Sequence, residues 1–324
     1  MHVAVMVEGQ EGISWDRWRS LARMVEDLGF ESLWRSDHLF SLAGDPAQDS
    51  LDPFLAMTVL AVETSRIRFG TLVTPVTFRD PATTARLAAH VDRLSGGRLV
   101  LGIGAGWNQA EHEAYGIPFP PVRERFERLE EALQIIRALS GGGPASFDGR
   151  YYRLRDAVCH PTPAQQPLPV LIGGNGERRT LRLAARYADE WNAIYVNLET
   201  YRAKAAVLAQ HCERAGRDPA SIRHSLMAGY VVAEDERALH AKIERLRTVA
   251  HPSVRPADRE PAEAIAALRR RNWLVGTPGE LVDTLGRYEE AGVSRVKLHH
   301  LNTADDESLE LVATRLLPQL QRAE

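Results

Sequence analysis

The feature that most constrains this chain is a strict alternation of short apolar runs with helical segments. Residues 2–7 (HVAVMV), 32–35, 67–73 and 98–101 read as strands, each bounded by turn or cap signals. Between them Ser14 opens a helix that stops at Gly29, while Asp52-Pro53 and Asp80-Pro81 each set a capping carboxylate before a proline at the first helical position. No strands follow one another without a helix. That pattern specifies a parallel sheet with helical crossovers.

The alternation breaks at Gly141-Gly142-Gly143-Pro144. Within 146–163, Asp148-Gly149 lies between Ser146-Phe147 and Tyr151-Tyr152, which predicts an inserted hairpin or excursion with a proline-rich return over 161–169. Strands resume at 169–172, 190–196, 223–232 and 293–298, with helices at 177–187, 200–215 and 236–250. The segment 251–260 is polar and proline-broken and is expected to be a loop. Thr277-Pro278-Gly279-Glu280 is a capping box whose helix ends near Gly292, and a helix over 306–320 closes the chain. Eight strands with helices between them fit an α/β fold of the (β/α)8 TIM-barrel type, one domain over 1–324 with insertions near 141–168 and 251–276. An open doubly wound sheet is the alternative; ligand features at the ends of strands two, three, four, five and eight suit a barrel mouth better.

Composition bounds the partners. The chain has 324 residues and a net charge of -3, which argues against nucleic acid as the main partner. No apolar run approaches the ~20 residues of a membrane span, and the apolar start reads as a strand with no basic leader. Cys159 and Cys212 make neither a metal motif nor a disulfide scaffold, so a reduced, cytoplasmic protein is expected.

The candidate chemistry lies at strand ends. Gly102, Gly104 and Gly106 alternate with Ile103 and Ala105 after the fourth strand, removing side chains from one face so that a flat ligand could lie on bare backbone. This is not the G-x-G-x-x-G of a dinucleotide site, and Trp107 after it can stack on a flat ring. Asp37-His38 follows the second strand, where barrel enzymes keep their chemistry. Gly173-Gly174-Asn175-Gly176 precedes a helix and reads equally as an anion site or an ordinary turn. His299 and His300 are neighbours on a strand and point to opposite faces, and Glu111-His112-Glu113 splay on a helix, so no metal is expected.

Together LWRSDH (33–38), RFGTLVTPVTFRDP (68–81), DRLSGGRLVLGIGAGW (92–107), EHEAYGIPF (111–119) and PVLIGGNGERRTLRLAARYADEWN (169–192) resemble the luciferase-like monooxygenase superfamily, and within it the F420-dependent oxidoreductases. The resemblance implies a barrel with deazaflavin F420, or alternatively FMN, bound across the strand ends. It implies a cis peptide at Leu72-Val73 behind the ring, with Thr74 beside it. His38 would move a proton next to the reacting ring carbon, and Asp37 at its side would contact the cofactor. Gly104, Ala105, Gly106 and Trp107 would contact the cofactor, and Ile172, Gly173, Gly174 and Asn175 would lie at its phosphate, held by the amides of Gly173 and Gly174. In the sugar-phosphate dehydrogenase branch a glutamate acid stands where this chain has Trp107, and the lysines that hold the substrate phosphate there have no match, which argues against that substrate.

The resulting expectation is hydride transfer between F420 and a small organic substrate, with His38 as the proton carrier. The alternatives are a two-component FMN monooxygenase fed by a separate reductase, and a flavin-binding protein without catalysis. A homodimer is implied by the resemblance. The excursion over 141–163 and the loop over 251–260 are expected to cover the mouth.

Overall fold

The apolar runs and caps form the elements that their spacing predicts. The computed structural model describes residues 1–246 and 260–320. In chain order it runs β1 (His2–Val7), α1 (Trp15–Asp27), β2 (Ser32–Arg35), α2 (Pro53–Glu63), β3 (Arg68–Thr71), β4 (Thr74–Pro75), α3 (Pro81–Leu94) and β5 (Leu99–Gly104). Then come α4 (Gln109–Ala114), α5 (Val122–Ser140), the hairpin β6 (Ala145–Asp148) and β7 (Arg153–Ala157), β8 (Val170–Gly173), α6 (Thr180–Tyr187), β9 (Glu190–Ile194) and α7 (Leu198–Arg214). The chain continues through β10 (Arg223–Val232), α8 (Glu236–Leu246), α9 (Pro261–Arg270), β11 (Leu274–Gly276), α10 (Pro278–Glu290), β12 (Arg295–His299), α11 (Asp306–Arg315) and α12 (Leu317–Leu320). The caps act as read: Asp52 accepts from the Phe54 and Leu55 amides, Asp80 from Ala82, and Thr277 with Glu280 forms the reciprocal box.

Eight strands pair in parallel in the order β1-β2-β3-β5-β8-β9-β10-β12, and β12 returns to β1 with Met6 opposite His299. The ring closes as a TIM barrel. Every strand is buried on both faces, and the period of two divides its side chains between two cores. Ala4, Met6, Trp34, Leu72, Val100, Leu171 and Met227 pack inside the ring. Their chain neighbours, such as Val5, Leu33 and Ile172, pack outward against the helices.

At the amino end of the strands the interior is ionic. Glu190 lies between Arg295 and Lys297, and Lys297 also donates to Ser225 Oγ at 2.8 Å and Asn192 Oδ1 at 3.2 Å. Burial opposes charge on Glu190, but Lys297 and Arg295 outweigh it and hold its carboxyl down to about 2. A cavity of about 1040 Å³ opens at this end, beside Glu31, Arg68, Glu190 and Arg223. It faces away from the carboxyl-end site described below, and its acids are engaged by the barrel's own cations, so size alone does not make it the place of chemistry.

Several boundaries differ from the sequence reading, for physical reasons. The third strand stops at Thr71: Leu72-Val73 is cis, and the chain then pairs again as β4, with Thr74 opposite Ile103. β5 runs on through Gly104, so two of the alternating glycines belong to the strand. β9 ends at Ile194 because Tyr195 takes a left-handed φ of 49°. In the second insertion, α9 and β11 form where no element was assigned; the expected loop over 251–260 lies, but for Glu260, outside the described residues, as do 247–250 of the expected helix.

Candidate active site

β2 carries Asp37 and His38 to its carboxyl end. Asp37 is covered completely, and Arg79 donates to its two oxygens at 2.6 and 3.3 Å and to Asp52 at 3.1 Å. The sequence reading set Asp37 against the cofactor; its carboxylate instead fixes Arg79 and the turn that presents His38. Nδ1 of His38 lies 2.8 Å from Glu111 Oε2, and Glu111 Oε1 accepts the Leu39 amide at 2.6 Å. Glu111 reaches this place because α4 is pinned: Asn108 caps it, and His112 pairs with the Asn108 carbonyl at 2.6 Å and Thr77 Oγ1 at 2.8 Å. Burial opposes a charge on His38, but the hydrogen bond and charge of Glu111, with Glu8 and Asp37 behind it, raise its pKa above 6.5. Nε2 makes no hydrogen bond among the described residues. Trp107 stands edge-on to the imidazole at 5.7 Å and is 68% exposed, a free aromatic face at the rim.

The glycines are not the bare floor that the sequence suggested. A Cβ on Gly102 would lie 1.8 Å from the Thr71 carbonyl oxygen, one on Gly104 2.8 Å from Val73 Cγ2, and one on Gly173 3.1 Å from Val73 Cγ1. Their missing side chains make room for Val73, so the surface offered to a ring is the Val73 side chain with the Ala105–Gly106 backbone beside it. Gly106 has a φ of +76°, and its carbonyl accepts from Arg125. Thr74 Oγ1 is buried here without a partner among the described residues, a hydroxyl next to Val73.

The neighbouring strand end supplies an anion site. Gly104 follows Ile103, which pairs with Ile172, so the end of β8 adjoins that of β5. The Gly174 amide is already spent on Asn192 O at 3.0 Å, and the Asn175 side chain bonds both the amide and carbonyl of Ile194. Ile172 points into the outer core. Among the described residues the amides without a partner therefore come later than expected, at Gly176, Glu177 and Arg178, where a cavity of about 310 Å³ is lined also by Arg179, Thr180 and Lys204. Unpaired amides before α6, with cationic side chains, suit a phosphate. A flat ring at Val73 and Trp107 with a phosphate arm toward Gly176 fits the residues present.

Two further polar groups at this end, Glu8 and Tyr195, escaped the sequence reading, and His299 was weighed there only as a metal ligand. Tyr195 Oη lies 2.7 Å from His299 Nδ1, and His299 Nε2 lies 2.8 Å from Glu8 Oε1 in a contact too bent for a linear hydrogen bond. Burial works against charge on Glu8, but His299 outweighs it and holds the carboxyl below its usual range. His300 turns to the other face and pairs with Tyr230 at 2.7 Å, as strand alternation requires. For Glu8 the signal available was position, since it directly follows a strand as His38 does; Tyr195 fell inside the strand read over 190–196 and follows one only because β9 ends at Ile194. Among the described residues no three His, Cys, Asp or Glu groups could hold a metal ion, and no helix is long and apolar enough to cross a membrane.

Comparison with known proteins agrees with this geometry. An F420-dependent hydroxymycolic acid dehydrogenase of Mycobacterium tuberculosis is 32% identical over 98% of this chain and 88% of its own length. An F420-dependent glucose-6-phosphate dehydrogenase of Microbacterium testaceum is 29% identical over 92% of this chain and 91% of its own. Among solved structures, an F420-dependent secondary alcohol dehydrogenase in complex with an F420-acetone adduct superposes with a TM-score of 0.80 at 22% identity, covering 99% of each chain, a likeness of fold. The family model for luciferase-like monooxygenases matches residues 1–295, and the chain belongs to that family.

Proposed function

We propose that this chain is a single-domain F420-dependent oxidoreductase that moves a hydride between the deazaflavin and a small organic substrate, with His38 handling the accompanying proton. The observation that carries the reading is the His38–Glu111 pair at 2.8 Å, set beside exposed Trp107 on the rim that also holds Val73 and the anion cavity. Two relatives that span nearly the whole chain, those of Mycobacterium tuberculosis and Microbacterium testaceum, are both named as F420-dependent dehydrogenases. When bound, the deazaflavin supplies a ring carbon that takes up or gives a hydride. The protein's part is to bind and orient: Val73, Ala105, Gly106 and Trp107 hold the ring, and the amides from Gly176 to Arg178 hold the phosphate. Trp107 in place of an acid at the ring favours a substrate other than a sugar phosphate.

The chain would act on a freely diffusing small molecule, as a homodimer in the cytoplasm, with a separate reductase to renew the cofactor. Equilibrium titration of the purified protein with F420 and with FMN tests the cofactor. Binding of F420 at least about tenfold tighter, which is ~1.4 kcal/mol, is expected. Tighter FMN binding with oxygen consumption would make it a monooxygenase, and binding without redox turnover with any acceptor would make it a carrier.

A further inference from the structure

The face of the helical shell made by α6 and α7 carries a charge that the chain as a whole does not. The net charge is -3, yet the cavity at the start of α6 is lined by Arg178, Arg179 and Lys204 against one acid, Glu177. A second cavity, of about 540 Å³, lies between α6 and α7. Arg182, Arg186, Arg214 and Arg217 line it with Tyr187 and His211, and no described acid does. The two cavities adjoin, because His211 Nε2 pairs with the Glu177 carbonyl at 2.9 Å. We propose that they form one cationic track that leads away from the phosphate and holds an oligocarboxylate tail joined to it. The proposed cofactor has such a tail: beyond its phosphate, F420 carries a lactyl group and a run of γ-linked glutamates, each with a free α-carboxylate. This rests on the F420 reading above.

The cations along this track outnumber their partners, and most are held in place. Arg182 and Arg186 lie one turn apart on α6 and share a single acid, Glu130, with Arg182 at 2.8 Å. Arg186 also lies over the Tyr187 ring at 5.0 Å. Arg217 donates to Ser221 Oγ at 2.8 Å and to the Ala185 carbonyl at 3.4 Å. Arg178 and Arg214 have no ion-pair partner among the described residues. A guanidinium takes a carboxylate through two parallel N–H bonds, and one already fixed by its neighbours loses less freedom in doing so.

Position supports the same role. In a ring of parallel strands the helices run back from the carboxyl end, so α6 and α7 carry the track outward from the mouth, where the phosphate arm would end. The eight residues of α6 span ~12 Å, the reach of a few linked carboxylates and too short a face for a nucleic-acid duplex. The neighbouring α5 is the contrast. There Arg123 pairs with Glu127 and Arg128 with Glu124, while Arg137 pairs with Asp189. An arginine face that serves solubility alone is matched in that way.

The test is equilibrium binding, read by F420 fluorescence without any turnover. The probes are F420 with a long glutamate tail, with a short one, and with none. At about 0.1 M salt the long-tailed form should bind at least about tenfold tighter than the tailless form, as several exposed ion pairs together allow. At about 1 M salt, where the Debye length falls to ~3 Å, most of that ratio should vanish. Arg186→Gln with Arg214→Gln, both on exposed side chains, should cut the ratio to about threefold or less. The lysine pair, Arg186→Lys with Arg214→Lys, should keep most of it, and the glutamate pair should make the long tail a handicap; a merely structural role would not follow charge in this order. Affinity independent of tail length, a ratio that survives about 1 M salt, or one untouched by the glutamine pair would overturn the proposal and leave the F420 reading standing. Protein that binds none of the three forms would overturn the F420 reading, and this proposal with it.

Discussion

At the scale of single residues, the account turns on what His38 and Val73 touch. Glu111 is the group that keeps a proton on His38 above pH 6.5, since burial alone would remove it. Glu111→Gln deletes the charge and keeps the shape, so the His38 titration should move to lower pH, read by 15N-resolved NMR of the labelled protein; an unmoved titration would contradict the pairing. The glycines make a graded series. Gly104→Ala places a methyl 2.8 Å from a Val73 methyl, which can shift, and should cost roughly 1–3 kcal/mol in denaturant unfolding. Gly102→Ala meets a carbonyl oxygen at 1.8 Å, which cannot, and should cost more. If Gly104→Ala proved the worse of the two, Val73 would not be the group that these glycines accommodate. Glu111 itself was in view in the sequence but read only as a failed metal ligand, because nothing in one chain's spacing brings residue 111 to residue 38.

At the scale of elements, the barrel was legible because its signals are local. Caps such as Asp52 and Asp80 and the apolar runs between them act within a few residues, and they put all eight strands in order. What failed depended on contacts between elements. The glycine run looked like a bare surface because the side chain that fills it, Val73, comes from the adjacent strand. The amides of Gly174 were read as free, but pairing with β9 uses them. β11 is three residues long and exists only because β10 extends past the ring to meet it. The ionic plug of Glu190, Arg295 and Lys297 was equally invisible, as its members come from β9 and β12. Glu190→Gln strips two buried cations of their shared partner and should destabilise the fold by about 3–5 kcal/mol in urea unfolding. In the native protein the folded-state pKa near 2 lies below the usual 4.5, so this contribution is present above pH ~4.5 and is lost as pH falls toward 2. A Glu190→Gln protein with the same acid stability profile as the wild type would contradict that assignment.

At the scale of the whole molecule, the ring has two open ends and the account commits to one. α2 bears Leu55 and Val62 exposed at 59% and 63%, an apolar strip that a homodimer would cover. Sedimentation should give a dimer for the wild type and a monomer for a Leu55→Glu, Val62→Glu double variant; a wild-type monomer would remove the dimer from the account. The larger cavity, about 1040 Å³, lies at the amino end of the strands, while His38, Trp107, Val73 and the free amides near Gly176 lie at the carboxyl end. The decisive measurement is a crystal structure of the protein with F420. The account predicts density for the ring against Val73 and Trp107, within reach of His38 Nε2, and for the phosphate at the start of α6; density in the cavity beside Arg68 and Arg223 would contradict it.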